Sequence, residues 1–330
     1  MDFYQRDFLT LLDYNKEEIE ALIDLGIKFK KLKESGISHR ILKDKSIALV
    51  FKEDSTIARC AFEVAAYDLG MHVTCLEQKK MGCGENIIDN IQFLSSIYDG
   101  IAYYGFSEKK AIQFIKKSKV PIWNGKNEKY HPFQILGDLI TIKEHYGTLK
   151  NKKIVFCGNG RSNISNSLMI ACGKLGIDFV CCAPKELWPS DELFNKCKKN
   201  AEETQSKIVF TEDIMDATYN ADIIYTSSWL NLSDESIQEE YFKLLSPYQI
   251  NKRIMYNAKS SAIFLHDLPA SHNKDTVVGQ MVYEKYGIDE FEVTNEVFES
   301  KNSKVFIEAE NYLHAVKAVM CSTLYKGAIK

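Results

Sequence analysis

The sequence predicts an α/β protein made of two doubly wound parallel-sheet domains. Short apolar, β-rich runs recur along the whole chain, and amphipathic stretches with helical spacing separate them. The connections between them are short, which favours parallel strands covered on both faces. At 330 residues the chain is long enough for two sizeable cores.

Taken in order, an opening helix with an apolar stripe is expected over Lys16–Lys33, then a strand at Ser46–Phe51 and a helix at Cys60–Leu69. Strands at His72–Leu76, Gly100–Tyr103 and Ile122–Trp123 follow, with a helix over Leu136–His145. The run Tyr146-Gly147-Thr148-Leu149-Lys150-Asn151 reads as a break between domains. Beyond it, strands are expected at Lys153–Cys157, Phe179–Cys182, Lys207–Phe210, Ile223–Thr226 and Ala262–Leu265. Helical stretches lie at Ser167–Leu175 and Glu192–Thr204. A long closing helix, Ser303–Tyr325, carries its own apolar stripe and can cross back to the first half. The expected domains are therefore residues 1–147 joined by about 303–330, and residues 148–302. Their sheets would face a shared cleft, with ligands outside the carboxyl ends of the strands.

Apolar content of 45% and charged content of 26% are those of a globular protein. A net charge of −3 without long runs of one sign argues against nucleic acid or a membrane surface as partner. No apolar run approaches the roughly 20 residues that span a bilayer. The start, Met-Asp-Phe-Tyr-Gln-Arg-Asp, lacks a secretion core, so a cytoplasmic location is expected. The nine cysteines sit mostly in apolar surroundings, such as Val180-Cys181-Cys182-Ala183, and read as reduced thiols. None of their spacings suits a metal. The turn Gly158-x-Gly160 has Asn163 where a dinucleotide motif needs its third glycine, so no cofactor is expected.

Several segments carry chemistry. Asp54-Ser55-Thr56-Ile57-Ala58-Arg59 joins a strand to a helix, where backbone N–H groups and hydroxyls can hold an anion. His131-Pro132-Phe133-Gln134 spaces His131 and Gln134 so that both face one side of a helix start. Gly158-Asn159-Gly160-Arg161-Ser162-Asn163, Ala183–Pro189, His266-Asp267-Leu268-Pro269, Glu296–Ser300 and Glu308–Asn311 follow. In their order and spacing these segments resemble the ornithine/aspartate carbamoyltransferase family, nearest to its ornithine branch. The resemblance covers nearly the whole chain and implies the carbamoyltransferase fold, bridged by the terminal helices, and a homotrimer. It also implies small-molecule substrates: carbamoyl phosphate and an amino-acid-like amine.

Residue by residue, the resemblance places Ser55, Thr56, position 57 and Arg59 on the phosphate. It makes His131 and Gln134 catalytic, polarising the carbamoyl carbonyl. Asn163 and Leu268 fall beside the amino acid, with His266 and Asp267 as further catalytic positions. Lys80 aligns with a residue that reaches a neighbouring subunit's site.

The sequence also departs from the pattern. Ile57, Tyr104 and Tyr312 stand where the resemblance implies arginines, and Asp267 replaces a cysteine. Losing three charged hydrogen bonds would cost roughly 4–9 kcal/mol if they added, so ordinary carbamoyl phosphate binding is not expected. The stretch Ser227–Ser233 lacks the carboxylate that would hold ornithine's α-amino group, so ornithine is not expected as acceptor. Three readings follow. One is a divergent carbamoyltransferase moving a carbamoyl or related group to an amino-acid-like amine. Another is a different reaction class on a neutral or cationic ureido or guanidino ligand. The last is a noncatalytic binding or regulatory paralogue.

Overall fold

The computed structural model describes residues 2–78, 86–229 and 235–327. The order of elements up to Tyr146 is α1 (Lys16–Glu34), β1 (Ser46–Phe51), α2 (Thr56–Leu69), β2 (His72–Glu77), α3 (Ile87–Ile97), β3 (Gly100–Phe106), α4 (Glu108–Lys117), β4 (Ile122–Asn127) and α5 (Pro132–Tyr146). It continues with β5 (Lys153–Cys157), α6 (Asn163–Leu175), β6 (Asp178–Cys182), α7 (Asp191–Thr204), β7 (Ile208–Thr211), α8 (Ile214–Thr218), β8 (Ile223–Thr226) and α9 (Glu235–Leu245). Then come α10 (Lys252–Asn257), β9 (Ile263–His266), α11 (Val277–Tyr286), α12 (Asn295–Phe298) and α13 (Val305–Leu324). Among the described residues no helix is long and apolar enough to cross a membrane.

Two compact units result, Met1–His145 with Glu310–Lys330, and Tyr146–Ala309. The first holds a parallel sheet of order β2-β1-β3-β4, the second a parallel sheet of order β7-β6-β5-β8-β9. Together they are the doubly wound α/β class that the alternating pattern predicts. β1, β3 and β5 are buried almost throughout, as strands covered on both faces must be. In the first sheet the strand order reverses between β1 and β3, and in the second between β5 and β8. Such reversals open a crevice at the carboxyl ends, where loops can receive a ligand.

Several elements run past their expected ends. β3 continues to Phe106 and β4 to Asn127, because the ladder pairs Tyr104 with Lys126 and Phe106 with Asn127 after a register shift. A ladder of that kind depends on a partner strand, which local patterning does not show.

Helix ends follow local chemistry. Asn15 and Glu18 form a capping box at α1, and Ser55 caps α2 by accepting from the Ala58 N–H at 3.3 Å. α1, α5 and α13 meet in the first unit through a polar network. Lys30 Nζ donates to Glu144 Oε2 and to Asn311 Oδ1, each at 2.9 Å, and Asn311 Nδ2 donates to Thr141 Oγ1 at 2.9 Å.

The close approach of α5 and α13 favours glycine at 137. A methyl group there would lie 3.0 Å from Tyr312 N and 3.1 Å from Tyr312 Cα, backbone atoms that cannot rotate aside. Gly137→Ala should therefore destabilise the protein by about 1–2 kcal/mol, overpacking outweighing a helix-propensity gain of about 1 kcal/mol. Urea denaturation checks this; an unchanged or higher midpoint would show that α13 gives way freely.

Candidate active site

In the first unit, the candidate residues gather at the reversal between β1 and β3. β1 ends at Phe51 and β3 carries Tyr104, and the loop between β1 and α2 is tied to β3 by Lys52 N donating to Tyr104 O at 2.9 Å. That loop delivers Ser55, half-buried, and Thr56, exposed, to the start of α2. Ile57 is half-buried one residue into the helix. Arg59 lies on the exposed side of α2, where its guanidinium meets Glu63 at 3.0 Å and Glu77 at 3.5 Å.

The rings of Tyr104, His131 and Tyr312 form one aromatic cluster. Tyr104 stacks on Phe51 at 5.3 Å, and His131 stands edge-on to Tyr104 at 6.1 Å and to Tyr312 at 5.9 Å. Phe62 and Phe133 close the far side of Tyr312. Burial, helped by the nearby charge of Lys126, holds His131 well below the usual imidazole range, so it is neutral at pH 7. Burial and then the neighbouring Tyr104 push the Tyr312 phenol well up, so it keeps its proton. The Tyr312 hydroxyl is buried and has no hydrogen-bond partner among the described residues. Gln134, one turn beyond His131, is buried and its amide donates to Asp138 Oδ1 at 3.0 Å. Lys80 lies outside the described residues.

In the second unit, the candidate residues lie at the ends of β5, β8 and β9. Asn163 opens α6, whose cap is Ser162 accepting from Ser165 N–H at 3.1 Å. The turn before it passes through Gly158 at φ +136°, a conformation that side chains rarely adopt. A methyl group there would also come within 3.0 Å of the Trp229 indole nitrogen. Trp229 is buried and fills the space beneath that turn, while positions 230–233 lie outside the described residues.

His266 ends β9 with no exposed surface. Its Nδ1 is 2.7 Å from the carbonyl of Asp267 and its Nε2 is 3.1 Å from Glu292 Oε2. Both partners can accept a hydrogen bond, an arrangement that favours a ring carrying protons on both nitrogens, an imidazolium. Burial disfavours that charge, but the bond and charge of Glu292, aided by Asp267, outweigh it and raise the His266 pKa. Glu292 also accepts the N–H groups of Trp229 at 2.9 Å and Ser271 at 2.8 Å. Glu308 accepts from His266 N at 3.0 Å and from the Tyr225 hydroxyl at 2.9 Å. This frame fixes the turn that carries Asp267, partly exposed, and Leu268, which packs against the core. No motif marks Glu292; its one sequence signal is an acid between the apolar residues Phe291 and Val293.

Two family models match the chain, one for each part of it. Residues 6–144 match the domain described as "Aspartate/ornithine carbamoyltransferase, carbamoyl-P binding domain", and residues 150–323 match its "Asp/Orn binding domain". The chain belongs to the aspartate/ornithine carbamoyltransferase family. It is thus a member of a family of transferases, with the carbamoyltransferase fold.

A protein of Treponema denticola named a catabolic ornithine carbamoyltransferase is 47% identical over 322 residues, covering 97% of this chain and 95% of that protein. One from Borreliella burgdorferi with the same name is 48% identical over 321 residues, covering 97% and 98%. The solved ornithine carbamoyltransferase of Pyrococcus furiosus superposes with a TM-score of 0.90 at 35% identity, covering 99% of this chain and all of that one. Relatives with these names leave the expectation against ornithine without support. The match to a carbamoyl-P binding domain likewise runs against the expectation that ordinary carbamoyl phosphate binding is lost. The second matched domain reaches residue 323, whereas packing assigns α13 from Glu310 onward to the first unit.

Proposed function

We propose that the chain moves a carbamoyl or closely related group onto an amino-acid-like amine, with ornithine the first acceptor to test. The observation that carries this reading is the buried, neutral His131 at the β1–β3 reversal, one turn from Gln134. A neutral imidazole can donate its N–H to the carbamoyl oxygen and still keep that proton beside the anionic leaving group. As the amine attacks, negative charge grows on that oxygen, and an oriented donor in a water-poor setting stabilises it. The hydroxyls and N–H groups of Ser55 and Thr56 at the start of α2 take the departing anion. Asn163, Asp267 and Leu268 serve the acceptor, Asp267 offering its carboxylate to the amine. The names of the relatives at 47–48% identity support ornithine in that role. The donor side is assigned to residues 1–147 with 303–330, the acceptor side to 148–302, and the assembly to a homotrimer.

A citrulline-type colour assay with carbamoyl phosphate and a panel of amines tests this reading. Wild type should form a ureido product with at least one amine, and His131→Ala should turn over about 10²–10³-fold more slowly. Absence of product with every amine, ornithine included, would remove the reading.

A second reading is a neutral or cationic ureido or guanidino ligand. It is favoured by the tyrosines at 104 and 312 and by the buried hydroxyl of Tyr312, which has no hydrogen-bond partner among the described residues. Binding of citrulline-like compounds without any binding of phosphate would select it.

A further inference from the structure

We infer that Lys126 supplies the cation of the donor subsite and binds the anionic end of the donor. The inference rests on the carbamoyl-transfer reading above. β4 runs beside β3 and sets Lys126 against Tyr104 in the ladder, at the carboxyl ends of the strands. Its ammonium sits 5.6 Å from the centre of the Tyr104 ring and 3.5 Å from Glu53 Oε2. Glu53 belongs to the loop that ends in Ser55 and Thr56, and its side chain packs where a methyl group on Gly105 would stand. Lys126 therefore touches both the aromatic cluster and the anion-holding loop. Its field also reaches His131, whose neutral state it favours. Arg59, the cation inside the loop motif, is turned toward Glu63 and Glu77 instead.

The Lys126–Glu53 pair is suited to exchange. Both side chains are partly in solvent, at 33% and 52% exposure, so their mutual attraction is weak. A phosphate carries more charge and more acceptors than a carboxylate, and it can displace Glu53 from the ammonium. The Tyr104 face keeps the ammonium in place through the ring's negative quadrupole. Glu53 then acts as a competitor that lowers affinity, and Lys126 as the ligand's partner.

The test measures binding of inorganic phosphate and of carbamoyl phosphate to the full chain by calorimetry, at low and high salt. Lys126→Met should weaken both about 10–100-fold, as expected for one charged hydrogen bond. Lys126→Arg should keep affinity within about threefold, since a cation remains in place. Glu53→Gln should tighten binding, and added salt should shrink these differences. Thermal unfolding without ligand checks that each variant is folded. If Lys126→Met binds carbamoyl phosphate as wild type does, or Glu53→Gln weakens binding, the inference fails while the carbamoyl-transfer reading stands. If wild type binds neither probe, both fail together.

Discussion

Replacing Glu292 with alanine is expected to cost about 3–5 kcal/mol of stability, the penalty for breaking a buried pair by removing one partner. The carboxylate has no exposed surface and serves three donors: His266 Nε2, Trp229 N and Ser271 N. Its loss strands two backbone N–H groups and drives His266 to give up its proton in a site with no exposed surface. Glu292→Gln should cost less, because an amide oxygen can still accept, and it should change the pH profile in a defined way. In wild type the His266 pKa is raised, so its contribution is complete below about pH 6.5 and declines as pH rises through the raised value. Without the carboxylate, burial dominates and lowers that pKa. Stability is then lost on acidification below about pH 6.5 instead. Urea titrations of wild type and Glu292→Gln at acid and alkaline pH should show slopes of opposite sign. Parallel profiles would mean that His266 is not held as an imidazolium.

The second large effect lies in the first unit. Asp68→Ala should also cost about 3–5 kcal/mol, whereas Lys317→Met should be close to neutral. Lys317 has no exposed side-chain surface; its ammonium is paired with Asp68 and lies 3.2 Å from His39 Nε2. His39 Nδ1 donates to Ile37 O at 2.9 Å, which leaves Nε2 free to accept from Lys317. Removing Asp68 leaves an ammonium facing a single neutral acceptor. Removing the ammonium leaves Asp68 still paired with Lys33 at 2.7 Å and near solvent. Burial works against the Asp68 charge, but its bonds to Lys317 and Lys33 prevail and lower its pKa. Its contribution is therefore present above about pH 4 and lost as pH falls through the depressed value. Urea denaturation at neutral pH separates the two variants, and equal losses would show that the pair acts only through packing.

These two carboxylates mark the limit of what the sequence discloses. Apolar runs such as Ser46–Phe51 and Lys153–Cys157 announce their strands, because burial on both faces demands uninterrupted hydrophobicity. Ser55 and His131 are legible because their chemistry depends on immediate neighbours, a cap and a helix start. Glu292 meets His266 across 26 residues, and Lys126 gains meaning only from the ladder that sets it against Tyr104. Such pairs are made by the fold, and a single chain carries no local sign of them. The imbalance is physical: secondary structure is written in periodicity, while charge compensation is written in three dimensions.

The polar network of α1, α5 and α13 has a consequence for how the chain comes to exist. Lys30 reaches its partner Asn311 across 281 positions, so the first unit joins segments that lie on either side of the second in the sequence. On a ribosome, the stretch containing β1–β4 emerges before the second unit, but the helix that seals it emerges only after that unit. The second unit, contiguous from Tyr146 to Ala309, can close in the meantime. Birth order and folding order are thus inverted: the half synthesised first is the half completed last, at a loop-closure cost that grows only slowly with the length spanned.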